Sequence, residues 1–178
     1  DDVISLLKEI NGRKPVSVEL GLQTIHPETA EYIRRGYPLG VFDSAVERLK
    51  RAGIYVIVHM IIGLPGETPE MIFETAEYIG KSGADGIKLQ LLHVLEGTDL
   101  GIYYTNTGFH VLEEDEYVNL ILECIEHLKP EITVHRITGD GPKDLLIAPL
   151  WSRKKRSVLN HIHHEMQEKK CWQGKALE

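Results

Sequence analysis

Residues 55–62, Tyr-Val-Ile-Val-His-Met-Ile-Ile, constrain the fold more than any other stretch of the chain. They are mostly β-branched or apolar and show no clean alternation. That predicts a strand covered on both faces, as in a parallel sheet flanked by helices. His59 is the one polar interruption. Gly63 and Gly66 permit a tight turn, and Pro65 ends the strand. Thr68, Pro69, Glu70 and Met71 then read as an N-cap, a proline at the first helical position and the start of an apolar periodic run. Ligand sites of α/β proteins lie at such carboxyl ends of strands. An ordinary strand-to-helix turn carries the same local signature, so both readings stand at this point.

The same unit recurs. Residues 16–23 read as a strand with a polar end, 27–35 as a helix broken by Gly36 and Pro38, and 42–52 as a helix with Phe42, Ala45, Val46 and Leu49 inward. Residues 68–83 form the next helix and 86–94 the third strand. The strands recur roughly 30–37 residues apart, the length of one βα unit. The expected fold is therefore α/β, with about three parallel βα units. An amphipathic helix over 3–10, with Val3, Leu6, Leu7 and Ile10 on one face, precedes them. After residue 98 the pattern changes to a Gly- and Tyr-rich loop over 99–110, a helix over 113–128, a short strand over 132–137, a turn cluster over 139–142 and a last helix from Ser152 to Lys169. This divides the chain into 1–98 and a helical and strand extension, 99–178.

The net charge of -7 argues against a chain whose main task is gripping nucleic acid. No apolar run approaches the ~18 residues of a membrane span, so no membrane partner is expected. The acidic start shows no secretory signal, the first residue is not Met, and Leu177-Glu178 could be a cloning scar. A piece of a longer protein is the expectation. Cys124 and Cys171 stand far apart, which suits a reducing, cytoplasmic setting better than a disulfide framework.

Polar residues gather near strand ends: Glu19, Gln23, His59, Gln90 and His93. In parallel strands they converge on one rim, where they form a site or satisfy backbone groups and each other. Gln23 donates and accepts, which suits a ribose or an amide. Arg34 and Arg35 either reach back over that rim to a carboxylate or form a solvated pair. His161 with His164 or Glu165 could share a helix face and bind metal, or simply be solvated. Arg153, Lys154, Lys155 and Arg156 run against a helix dipole and so invite an anionic partner such as RNA, or form a solvated turn. No phosphate-binding Gly-x-x-x-x-Gly-Lys-Ser/Thr is present. Alternative readings are a βα enzyme that binds a phosphorylated ligand through helix amides at 63–68, or a non-catalytic module that binds protein or RNA.

Gly21-Leu22-Gln23, Arg35-Gly36-Tyr37, the run from Ile62 to Thr68 and Val94-Leu95-Glu96-Gly97-Thr98, taken in order, resemble the second half of a radical S-adenosylmethionine (radical SAM) core. The resemblance is greatest to an uncharacterised bacterial family in the branch of the Elongator catalytic subunit and the tRNA methylthiotransferases. Arg136-Ile137-Thr138-Gly139-Asp140, Leu145-Leu146-Ile147-Ala148-Pro149 and Trp172-Gln173-Gly174-Lys175 look like its C-terminal signatures. The resemblance implies an incomplete TIM-like (βα)6 barrel. It implies that Gln23 contacts the SAM ribose and Arg35 the SAM carboxylate. His59 stands where relatives carry a ribose-binding aspartate. The segment holding Ile61, Gly63, Gly66 and Glu67 packs near the adenine, as do His93, Val94 and Leu95, while Glu19 and Gln90 line the interior toward substrate. The cofactors implied for the intact protein are SAM and a [4Fe–4S] cluster. The cluster motif Cys-x-x-x-Cys-x-x-Cys is absent, so the resemblance places the cluster cysteines upstream of Asp1 and assigns this chain no cluster ligand and no catalytic residue. The expected partners are that N-terminal half and, through an open sheet edge, a second copy.

Overall fold

A computed structural model describes residues 2–139 and 141–177. The chain runs α1 (Asp2–Asn11), β1 (Ser17–Gln23), α2 (Pro27–Tyr32), α3 (Leu39–Arg51), β2 (Tyr55–Ile62), α4 (Pro69–Lys81), β3 (Gly86–Leu91), β4 (Val94–Leu95), α5 (Asp99–Thr107), α6 (Glu114–Glu126), β5 (Thr133–Arg136), β6 (Leu146–Ala148) and α7 (Lys155–Glu168). Short 3-10 turns lie at Leu150–Arg153 and Lys175–Leu177.

The main sheet is α/β with strand order β1-β2-β3-β5, and every pairing in it is parallel. β5 falls within the segment read as an extension, yet it supplies the fourth parallel strand. The register sets Gly21 opposite His59, His59 opposite Lys88, and Ile61 opposite Gln90. Alternate residues of β2 therefore have different fates. Val56, Val58, Met60 and Ile62 are fully buried and share one core with Val46 and Leu49 of α3, Ile72 and Ile79 of α4 and Ile121 of α6. Burying each such side chain stabilises the fold by roughly 1.5–3 kcal/mol. His59 and Ile61, on the other face, are only half-buried. The expectation of a strand covered on both faces holds at Ile57, which is buried on this second face, and is corrected from His59 onward. The second face carries Glu19, His59, Lys88 and Gln90, and charged groups keep water or find partners.

Three further expectations change. The third strand stops at Leu91, and Val94–Leu95 instead pairs antiparallel with Leu146–Ala148. The segment 99–110 is mostly helix, not loop. Thr98 Oγ1 accepts from Gly101 N at 3.0 Å, the Thr105 hydroxyl donates to Gly101 O at 2.9 Å, and Gly108 closes the helix at φ 59. Its Gly-rich composition reflects packing, since a Cβ at Gly101 would lie 2.2 Å from the Leu95 carbonyl oxygen. α1 docks through Ile4 and Leu7, while Val3, Leu6 and Ile10 are exposed.

Arg153 of the basic run is engaged: its Nη2 donates to Lys143 O at 2.9 Å and to Leu146 O at 3.0 Å. His161 Nδ1 lies 3.0 Å from Glu114 Oε1 and ties α7 to α6. Among the described residues no group of three or more His, Cys, Asp or Glu is placed to hold a metal ion, and no helix is long and apolar enough to cross a membrane. Asp140 of the tail signature lies outside the described residues.

Candidate functional site

A cavity of about 940 Å³ opens at the carboxyl ends of β1 and β2. Its apolar surface comes from Ile61, Leu64, Pro65, Leu92 and Leu100, and its polar surface from Gln23, Arg34, Arg35 and Asp99, with Tyr32, Tyr37 and Tyr103 around them. Arg34 Nη1 lies 2.6 Å from Asp99 Oδ2, and the rings of Tyr32 and Tyr103 meet edge-on at 6.2 Å. These two contacts join α2 and its following turn to α5. Mixed apolar and convergent polar surface of this size suits a nucleoside-sized amphipathic ligand.

The end of β1 is unusually constrained. Gln23 has φ 61, in the left-handed region that disfavours side chains. The β1–β2 register slips between Gly21 and Gln23. The Gln23 amide donates to Gly21 O at 2.6 Å and Leu22 O at 3.0 Å, leaving Oε1 as an acceptor. Gly21 leaves room for it: a Cβ there would come within 2.5 Å of that amide, which would have to shift. Tyr37 donates its hydroxyl to Gly21 O. Arg35 donates Nη1 to Thr24 O at 2.6 Å and Leu22 O at 3.3 Å, and Nε to Tyr37 O at 3.0 Å. Its guanidinium thus braces the strand end and lies over the Tyr37 ring, 5.1 Å from its centroid.

One layer below lies a charged network. Lys88 Nζ donates to both Glu19 oxygens at 2.6 Å. His59 Nε2 donates to Glu19 Oε2 at 2.5 Å, and Gln90 Nε2 donates to His59 Nδ1 at 2.8 Å. An amide that donates to Nδ1 leaves the ring proton on Nε2, toward Glu19. Lys88 first, and His59 second, hold the Glu19 carboxyl below its usual range.

Of the residues the sequence singled out, the cavity brings together Gln23, Arg34, Arg35 and Ile61. Glu19, His59 and Gln90 form the network beneath. The others lie apart. Gly63, at φ +89, closes against Leu112, whose Cδ1 a Cβ would approach to 2.9 Å. Gly66 holds φ +86 in the turn before α4. Glu67 accepts from the Thr24 hydroxyl at 2.5 Å, and burial pushes its carboxyl up against the opposing effect of that bond. Thr68 caps α4 itself, with Met71 N at 3.4 Å from its Oγ1. The capped amide and the adjacent Glu67 carboxyl leave 63–68 poorly suited to a phosphate. His93 packs against Gly139 and Gly141, where added Cβ atoms would meet its ring at 2.6 and 2.5 Å. Val94 and Leu95 pair with β6.

The sequence reading missed Lys88, Leu92, Asp99, Leu100 and Tyr103. Period-two alternation from Gln90 back to Lys88 was available to find the lysine. Thr98-Asp99, an N-cap followed by an acid, was the available sign of α5.

Two family models match the chain in succession: the radical SAM superfamily over residues 1–79 and the radical SAM C-terminal domain over residues 84–168. YtqA of Bacillus subtilis, an uncharacterised protein, is 42% identical over 178 residues, covering 100% of this chain and 55% of the relative. YhcC of Escherichia coli is 32% identical over 178 residues, covering 99% of this chain and 57% of the relative. The chain thus spans little more than half the length of these relatives. A solved structure of Elp3 from the archaeon Methanocaldococcus infernus, with an N-terminal deletion, superposes with a TM-score of 0.81 at 23% identity, over 95% of this chain and 40% of that one. That likeness shows the fold, and the two successive matches show the descent: the chain belongs to the radical SAM superfamily.

Proposed function

We propose that this chain supplies the S-adenosylmethionine-binding wall of a radical SAM enzyme. The observation that carries the reading is the convergence of Gln23, Arg35 and Ile61 on one cavity at the strand ends. The donor set fits the molecule. Ile61, Leu64, Pro65 and Leu92 offer an apolar shelf for adenine, Gln23 an acceptor for a ribose hydroxyl, and Arg35 a cation for the carboxylate. Asp99 adds an anion that complements the ligand's ammonium or sulfonium. Below this floor, Glu19, His59 and Gln90 line the side facing substrate. His59 makes no ribose contact in this reading, because both of its ring nitrogens are engaged.

The [4Fe–4S] cluster does not fit this chain. It needs several thiolates together, and Cys124 and Cys171 are both buried elsewhere as thiols. In the whole protein the chemistry is reductive cleavage of SAM to methionine and a 5′-deoxyadenosyl radical, with the cluster held by another segment. Within it, this chain binds and orients the cofactor. The outer edge of β1 pairs with a strand of that segment, and Val3, Leu6 and Ile10 of α1 are exposed. Without that cover, the edge and this apolar face drive self-association. Two buried thiols support a cytoplasmic setting.

The test is direct. The full-length protein is reconstituted with iron and sulfide, then given dithionite and SAM. Cluster absorbance and 5′-deoxyadenosine are expected; their joint absence overturns the proposal.

A further inference from the structure

Glu67 sits in the turn after β2, yet its side chain reaches the end of β1. Its Oε1 accepts from the hydroxyl of Thr24, which is fully buried. The Thr24 Oγ1 in turn accepts from His26 N at 3.1 Å. Thr24 N donates to Leu22 O at 2.8 Å, and Thr24 O receives Arg35. Every polar group of Thr24 is therefore committed, and it lies immediately after Gln23. Gln23 is one of only three non-glycine residues with positive φ among those described. A side chain in that conformation persists only where its surroundings over-determine it. Here Arg35 grips the two carbonyls flanking Gln23, and Glu67 anchors the side chain that follows it. The turn itself is shaped to deliver Glu67: Gly63 and Gly66 both have positive φ, and Glu67 N donates to Leu64 O at 3.2 Å.

A second observation separates this contact from generic packing. Glu67 Oε2 is buried with no hydrogen-bond partner. A buried unpaired carboxylate oxygen is costly to keep. Burial pushes the Glu67 carboxyl up, and the Thr24 hydroxyl, His26 and the Thr29 hydroxyl oppose that shift. The Thr24 bond is what the arrangement retains in exchange.

The geometry points to Glu67 as a positioning residue that, through Thr24, holds Gln23 in the left-handed conformation presenting its amide to the cavity ligand. This rests on the reading of Gln23 as a SAM contact. It gives the acid of the Gly-Leu-Pro-Gly-Glu-Thr segment a task at the ribose side, one strand away from its own turn.

The test uses the full-length protein with two readouts. One is SAM affinity by equilibrium dialysis. The other is the resonance pair of the Gln23 side-chain NH2, assigned with Q23A in glutamine-labelled protein. Glu67→Ala and Thr24→Val are expected to shift that pair and weaken SAM binding about tenfold, the scale of one lost polar contact. Glu67→Gln keeps the acceptor and Thr24→Ser keeps the hydroxyl, so both stay within about twofold of the parent. On a Q23A background, Glu67→Ala adds less than about twofold, because its effect passes through Gln23. Unchanged Gln23 resonances in Glu67→Ala overturn the proposal. So does a full additional loss in the double variant. If Q23A alone leaves SAM affinity unaltered, the ribose-contact reading fails instead, and the Gln23 resonances alone decide the role of Glu67. Should Glu67→Ala not fold, Thr24→Val with Thr24→Ser as its rescue decides the same question.

Discussion

Lys88 Nζ lies 2.6 Å from each carboxylate oxygen of Glu19, reaching across β2 from β3 to β1. The Lys88 side chain is 15% exposed and that of Glu19 45% exposed. The pair compensates its own charge on the face of the sheet that the helices leave open. With the Glu19 carboxyl held low by Lys88 and His59, its contribution to stability is fully present above the ordinary value of 4.5. It is lost as pH falls through the lowered folded value. Lys88→Met is expected to cost about 1 kcal/mol in urea unfolding at pH 7, the scale of a partly exposed pair. The same variant should raise the Glu19 pKa toward 4.5 in an NMR titration. An unmoved Glu19 would show that His59, not Lys88, governs it.

Gly101 lets α5 touch β4. An added Cβ would meet the Leu95 carbonyl oxygen at 2.2 Å, a backbone atom that cannot swing aside. Gly101→Ala should destabilise the protein by about 1–3 kcal/mol despite alanine's higher helix propensity. Thermal unfolding checks this. A stabilised variant would mean that α5 docks less tightly than described.

Thr98 caps α5 through Gly101 N and donates its own hydroxyl to Leu95 O at 2.7 Å. Thr98→Ala should cost about 1 kcal/mol, and Thr98→Ser should recover most of it. Because Thr98 and Asp99 line the cavity, the alanine variant should also weaken SAM binding in the full-length protein. Wild-type affinity in a destabilised variant would separate cap from cavity.

The two thiols are shielded. Burial pushes Cys124 up to about 12 and Cys171 up to about 11. Thiolate is the reactive form, so neither should alkylate with iodoacetamide at pH 8 in the native protein. Both should label once it is denatured, as read by peptide mass spectrometry. Labelling of native Cys171 would indicate that the tail opens from α6.

Much of this was legible in the chain alone. The bounds of β2, the glycine turn behind it, the N-cap at Thr68 and the repeating βα unit follow from local rules of side-chain period and capping. The choice of Gln23 and Arg35 rests instead on the family resemblance that an ordered set of motifs carries. The rest depended on distance. Residues 99–107 look like a loop because their glycine answers to Leu95 and not to helix propensity. β4 and β6 are too short to show a period, and each exists only by pairing with the other. Glu67 belongs to the β2 turn by sequence and to the end of β1 by contact, 43 residues away. Local chemistry determined which elements form. The parallel register determined which polar residues share the open face, and burial determined that Glu67 braces Thr24 while Gln23 and Arg35 face the cavity.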